Sequence, residues 1–332
     1  MADKFLVTGG GGFLGRALCL RLRSLGQSVI SLSRGDYPEL EAAGVETVKA
    51  DIGSSPESYA SAFAGVSAVF HTAARVDMWG PYEEFYRTNV TGTGNIIAAC
   101  KQHRVSRLIY TSSPSVVAGE HDLCGVDESV PYPSKYTAFY PETKAMAERA
   151  VIEAGTSGDL ATIVLRPHLI FGPGDTNLVP AILEKADAGK LMQIGTGINL
   201  SDFCFIEDCV QAHLCAEQAL RVNSTLSGRR YFISQGEPMF LWGFVAEVLR
   251  RSGRPMLSRS MPAWIARGLA AVAEGLGRFG IGPAEPILTR FLVSEMSTSH
   301  YFNISAARRD LSYCPRYSMS EALDITFPLH GA

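Results

Sequence analysis

Tyr140-Pro141-Glu142-Thr143-Lys144 places a phenol and an ammonium four residues apart. On a helix, positions i and i+4 share one face, so both groups can line one cleft. A nearby ammonium stabilises phenolate, and Lys144 is therefore expected to lower the Tyr140 pKa toward the working range. Tyr140 could then pass a proton to or from a substrate oxygen. Pro141 fits the first helical turn, where its missing N–H costs little. Such a pair also occurs by chance as two exposed helix residues, so its companions decide its meaning. One companion is the run Leu108-Ile109-Tyr110-Thr111-Ser112-Ser113, a strand ending in hydroxyls. Open α/β sheets bind ligands at that end of their strands. Ser113 would hydrogen-bond and orient a carbonyl, with Ser112 and Ser115 as alternatives.

The second companion is Thr8-Gly9-Gly10-Gly11-Gly12-Phe13-Leu14-Gly15. Gly9, Gly12 and Gly15 have TGxxGxxG spacing between a strand and a helix. Glycine allows the tight turn and lets backbone approach a diphosphate, and the helix N-terminus offers free N–H groups. This points to a dinucleotide and to hydride transfer, with Lys144 also holding ribose hydroxyls. An NAD site usually carries an acid at the end of the second strand. Here stands Leu32-Ser33-Arg34. Arg34 can pair with a 2′-phosphate and Ser33 can donate to it, which favours NADP(H) over NAD. Asp51-Ile52, after the third strand, could contact the adenine.

These groups need a scaffold. Phe5–Thr8, Ser28–Leu32, Glu46–Ala50, Ala68–His71, Arg107–Ser112 and Ala161–Leu165 read as strands. Gly15–Leu25, Tyr86–His103 and Pro141–Ala154 read as helices between them. The alternation predicts an α/β fold: a Rossmann doubly wound parallel sheet. After Pro167 the pattern loosens. Phe203–Ile206 and Arg230–Ile233 look like strands, Leu178–Gly189 and Cys209–Leu220 like helices, and the C-terminal third is mainly helical. Residues 1–172 plus about 202–234 are expected to form the dinucleotide domain. Residues 173–201 plus 235–332 would form a smaller, mainly helical substrate lobe.

Composition bounds the function. The 332 residues are 46% hydrophobic and 19% charged, which is ordinary globular usage and excludes a disordered chain. A net charge of −3 argues against nucleic acid as a partner. The seven cysteines lack CxxC spacing and read as buried free thiols in a reducing compartment, so a cytoplasmic location is expected. No leader, transmembrane run or metal-ligand spacing is read.

The chain resembles the extended short-chain dehydrogenase/reductases. The matching pieces are TGGGGFLG at 8–15, HTAA at 71–74, Asn89, YTSS at 110–113, YPETK at 140–144, RP at 166–167 and GPGD at 172–175. The resemblance implies Ser113, Tyr140 and Lys144 as the catalytic group, and Asn89 as the helix asparagine that props the site. It brings Phe13, Leu14, Ala73 and Pro167 into the cofactor set. Within that family the chain looks most like the 3β-hydroxysteroid and sterol dehydrogenase branch, on YTSSPSVVAG at 110–119, YPETKAMAE at 140–148 and the tail 288–318. It is more similar still to the bacterial 2-alkyl-3-oxoalkanoate reductases of olefin synthesis, on Tyr37-Pro38-Glu39-Leu40, Met78-Trp79-Gly80 and GPGDTNLVP at 172–180. Those enzymes reduce a two-tailed β-keto acid with NADPH. A homodimer through the Tyr86–His103 and Pro141–Ala154 helices is a further implication.

Other residues have two readings. Arg75 could bind a substrate carboxylate or be a phosphate contact or surface charge. His168 could touch the nicotinamide amide or be a satisfied core histidine, and His71 reads as structural. Met261–Phe279 is amphipathic, with Arg267, Glu274 and Arg278 on one face and Ile265, Leu269, Val272 and Leu276 opposite. Plain packing on the second lobe is expected for it. The rival is an apolar lid over a lipid-like substrate, with peripheral membrane contact. The leading function is reduction of a 2-alkyl-3-oxoalkanoate. A 3β-hydroxysteroid dehydrogenase is the alternative. A catalytically silent NADP-binding regulator and a sugar-nucleotide epimerase are disfavoured by the intact Ser/Tyr/Lys set and the apolar tail.

Overall fold

A computed structural model describes residues 3–119, 121–278, 286 and 288–328. Seven parallel strands form the main sheet: β1 (Lys4–Thr8), β2 (Ser28–Ser33), β3 (Glu46–Lys49), β4 (Ala68–His71), β5 (Arg107–Thr111), β6 (Ala161–Pro167) and β7 (Arg229–Ile233). Their order across the sheet is 3-2-1-4-5-6-7. β1 therefore has β2 on one side and β4 on the other, with Val7 beside Ser31 and Phe70. That reversal of strand order opens the crevice where such sheets bind ligands.

Both faces of the sheet are covered, because successive side chains on a strand point to opposite sides. Val7, Phe70, Ile109 and Ile163 enter one core with Leu18 and Leu22 of helix α1 (Phe13–Ser24). Leu6, Val69, Leu108 and Val164 enter the other. That second core also takes Ile96 of α2 (Gly92–Gln102) and Val151 of α3 (Phe139–Thr156). The near-continuous apolar runs of the strands follow from this double burial.

Four expectations need correction. The Tyr86–His103 helix is not regular: Tyr82–Phe85 is α-helical, Tyr86–Thr91 is a π segment, and α2 follows. Such bulges tend to mark functional sites, and this one carries Asn89. Of Phe203–Ile206 only Cys204–Phe205 is strand, and it pairs with Ile170–Phe171 outside the main sheet. The cysteines are free but not all buried: Cys124 and Cys314 are exposed.

The fourth correction concerns the amphipathic stretch, whose last residue, Phe279, lies outside the described residues. Its helix spans Ala263–Arg278. Ala266, Ala270 and Glu274 turn inward, whereas Leu269, Val272 and Leu276 are exposed and Trp264 is 75% exposed. Two alanines four residues apart let the helix lie close to the Arg290–Ser297 helix. Glu274 tolerates burial because its carboxylate accepts hydrogen bonds from Arg290 N (2.7 Å) and Nε (2.8 Å). The packing is thus done by small residues and an ion pair, not by the apolar stripe. Leu269→Asp is accordingly expected to leave stability within about 0.5 kcal/mol, as exposed substitutions do. A thermal melt checks this; a drop of several degrees would return Leu269 to the packed face.

Candidate active site

The glycine loop joins β1 to α1. Gly9 has φ +71°. A Cβ there would stand 2.9 Å from the Ala73 backbone, and one on Gly15 would collide with the Gly9 carbonyl. The loop and the Ala73 segment therefore touch backbone to backbone, which only glycine permits. The α1 N-terminus has no side-chain cap, so its first amides keep the positive end of the helix open. Phe13 and Leu14, in that first turn, are buried. Ser33 Oγ accepts a hydrogen bond from Gly11 N (3.0 Å), tying β2 to the loop. Arg34 is exposed and makes no ion pair or hydrogen bond among the described residues. The Tyr37 ring lies where a Gly11 side chain would be and reaches Gly35, a contact the sequence reading missed. Asp51 accepts from Gly53 N (2.8 Å) and faces Arg87 at 3.3 Å, and Ile52 is buried.

Tyr140, Lys144 and Glu148 stand at i, i+4 and i+8 on α3, on the side facing β5. Lys144 is buried, donates to the Thr111 carbonyl (2.6 Å) and lies 4.2 Å from the Tyr110 ring centroid. Burial pulls its pKa down to about 7, against the opposing charge of Glu148. Glu148 and Arg166 form an ion pair with both side chains 0% exposed, through Nη2–Oε1 at 2.5 Å and Nε–Oε2 at 3.1 Å. Tyr132 and Ser112 donate to the same carboxylate at 2.6 and 2.5 Å. Neither Glu148 nor Arg166 was singled out from the sequence. The helical spacing that relates Tyr140 to Lys144 extends one turn to Glu148, and that was the available signal.

These bonds separate the three serines. Ser112 is committed to Glu148. Ser113 Oγ accepts from Ser115 N (3.2 Å), which leaves its O–H free to donate. Ser113 and Ser115 both lie near the Tyr140 phenol. Burial pushes the phenol above its ordinary value, Ser113 and Ser115 oppose that, and Glu295 adds to it. This corrects the expected lowering by Lys144: the ammonium is spent on Thr111 and Tyr110, and desolvation of the phenolate wins. The phenol is consequently protonated near neutral pH and poised to donate. Glu295 is a further residue the sequence reading missed.

The π segment buries Asn89, whose Oδ1 accepts from Arg75 N (2.8 Å). Its Nδ2 donates to the Arg75 carbonyl (3.1 Å) and to Thr143 Oγ1 (3.0 Å). Asn89 thus ties α3 to the segment after β4. His71 lies between Thr8 Oγ1 (2.6 Å) and Thr93 Oγ1 (3.0 Å), and burial pulls its pKa down to about 3, so it stays neutral. Arg75 ion-pairs with Asp77 at 2.9 Å and with Glu84, so its charge is already balanced within the protein. Pro167 ends β6. His168 follows it, buried, with Nδ1 held by Asp202 Oδ1 at 2.7 Å. Among the described residues no group of three or more His, Cys, Asp or Glu is placed to hold a metal.

The chain is similar to several known proteins. A family model described as 3-beta hydroxysteroid dehydrogenase/isomerase matches residues 6–263. The chain is 41% identical to a 2-alkyl-3-oxoalkanoate reductase of Stenotrophomonas maltophilia, over 96% of this chain and 97% of that one. It is 35% identical to the human decarboxylating sterol-4-alpha-carboxylate 3-dehydrogenase, over 98% and 87% of the two chains. The solved structure of MoeE5 in complex with UDP-glucose and NAD superimposes with a TM-score of 0.75, at 22% identity over 98% and 97% of the chains, and shares the fold.

Proposed function

The chain belongs to the 3-beta hydroxysteroid dehydrogenase/isomerase family, and we propose that it reduces the oxo group of a 2-alkyl-3-oxoalkanoate with NADPH. Membership makes it an NAD(P)-dependent oxidoreductase acting on a hydroxyl or oxo group. The observation that carries the reading is Ser113 at the C-terminal end of β5, near a protonated Tyr140 that stands one helical turn from buried Lys144. A nicotinamide dinucleotide, when bound, supplies or takes the hydride. The glycine loop fits its diphosphate, because Gly9 and Gly15 present bare backbone and the α1 amides are uncapped. Ser113 donates to the carbonyl oxygen and orients it. Tyr140 gives that oxygen its phenolic proton as charge develops there. Lys144, with one N–H on the Thr111 carbonyl, would donate another to a ribose hydroxyl. Asn89 keeps α3 in place for all three.

Residues 1–172 with about 202–234 would hold the cofactor, and about 173–201 with 235–332 the substrate. Exposed Tyr86 and Phe139, beside Tyr82, support a homodimer through the π segment, α2 and α3. Among the described residues no helix is long and apolar enough to cross a membrane; a cytoplasmic location is part of the proposal. The 35% identity to the sterol-4-alpha-carboxylate enzyme favours a carboxylated 3-hydroxysterol as second substrate class. Nicotinamide absorbance with a panel of 2-alkyl-3-oxo acids, 3-hydroxysteroids and sugar nucleotides tests the reading. NADPH-dependent reduction of the oxo acids is expected; turnover of steroids or sugar nucleotides alone would overturn it.

The preference for NADPH rests on Arg34, exposed and unpaired beside the loop, with no acid in the β2 end position. Arg34→Ala is expected to weaken NADPH by about 10- to 150-fold, the value of a charged hydrogen bond, and to leave NADH nearly unchanged. Fluorescence titration of both cofactors decides it; equal losses would sink the assignment.

A further inference from the structure

Ser115 lies in the short 3₁₀ turn Pro114–Val117 that follows Ser113. Pro114 restricts the backbone there, and the Ser115 N–H bond to Ser113 Oγ holds the two serines in fixed relation. The Ser115 side chain is buried, the residue being only 8% exposed, and its hydroxyl has no hydrogen-bond partner among the described residues. A buried hydroxyl without a partner is uncommon in folded proteins, because desolvation is then uncompensated. Its neighbours do not leave the same vacancy: Ser112 is bonded to Glu148, and Ser113 is bonded to the Ser115 amide. Ser113 and Ser115 also lie near one phenol, that of Tyr140. The reacting oxygen takes Tyr140 and Ser113. One buried donor beside them remains for a second oxygen of the same molecule.

We infer that Ser115 determines specificity: its hydroxyl donates to a carboxyl oxygen of a 3-oxo acid while Ser113 and Tyr140 hold the oxo oxygen. This deepens the functional reading above and rests on it. In a 3-oxo acid the two oxygens are separated by three carbons and can point the same way, as two adjacent donors beside one phenol require. Arg75, the cation considered for this task, is engaged by Asp77 and Glu84. Recognition by a hydroxyl reads the oxygen rather than the charge, which suits a cleft where Glu295 already brings a carboxylate near Tyr140.

The test compares two substrates with the same alkyl chains: a 2-alkyl-3-oxoalkanoic acid, and the ketone that remains when its carboxyl group is lost as carbon dioxide. NADPH consumption gives kcat/KM for each with the wild type, Ser115→Ala and Ser115→Thr. Wild type is expected to prefer the acid. Ser115→Ala should lose about 10- to 150-fold more on the acid than on the ketone, the range for a hydrogen bond to a charged acceptor, because any effect exerted through Tyr140 acts on both substrates alike. Ser115→Thr keeps the hydroxyl and should recover most of the loss. Equal losses on both substrates, or no loss on either, would overturn the assignment. A wild type inert toward the acid would show, before any substitution, that the functional reading itself is wrong.

Discussion

Tyr140→Phe lowers turnover by about 10²–10⁴-fold, the usual contribution of general acid catalysis, and leaves cofactor affinity near that of the wild type. Only one oxygen is removed. The ring still fills its place on α3, and the glycine loop is untouched. The pH dependence follows from the sign of the shift. The phenol lies above its ordinary value through burial, so it remains a proton donor across the neutral range. Reduction should therefore hold its rate into alkaline solution and decline only as the phenol ionises. The reverse oxidation needs phenolate and should rise over that same alkaline range. Steady-state rates in both directions, with stopped-flow binding of the cofactor, measure all of this. Wild-type turnover in Tyr140→Phe would remove the phenol from the proton-transfer step.

Glu148→Ala is expected to destabilise the fold by about 3–5 kcal/mol, because it leaves the Arg166 guanidinium buried and uncompensated. The two side chains are both 0% exposed, and Arg166 Nη1 already has no hydrogen-bond partner among the described residues. Loss of the carboxylate would also release Ser112 and Tyr132. A surface pair is the control: Lys101 and Asp159 lie at 3.3 Å in solvent, and Asp159→Ala should cost at most about 1 kcal/mol. Chemical denaturation of the three proteins compares them, and equal losses in the two variants would refute the argument. Acid should act in the same direction. Burial raises the Glu148 pKa, but Arg166, Ser112 and Tyr132 outweigh it and hold the group below its ordinary value. A carboxyl with a depressed folded pKa stabilises the protein above its unfolded pKa. That contribution is lost as pH falls through the folded value.

The chemistry of this protein was legible in its sequence wherever it is local. Gly9, Gly12 and Gly15 declare a tight strand-to-helix turn by their spacing, and at Gly9 and Gly15 backbone contacts leave no room for a side chain. Tyr140 and Lys144 declare a shared helix face because 3.6 residues make a turn. Strand periods located the sheet because double burial demands apolar runs. Tertiary structure decided what depends on residues distant in the chain. Ser112 is occupied because Glu148, 36 positions later, reaches it, and this singles out Ser113. The Tyr140 phenol is raised, not lowered, because the balance between burial and charge is set by everything packed around it. Arg75 is neutralised by Glu84 from a neighbouring helix, and His168 is oriented by Asp202. The Ala263–Arg278 helix turns its apolar stripe outward because Arg290 satisfies Glu274 within the packed face. No helical period contains that information, since a period shows that two faces differ but not which one finds a partner.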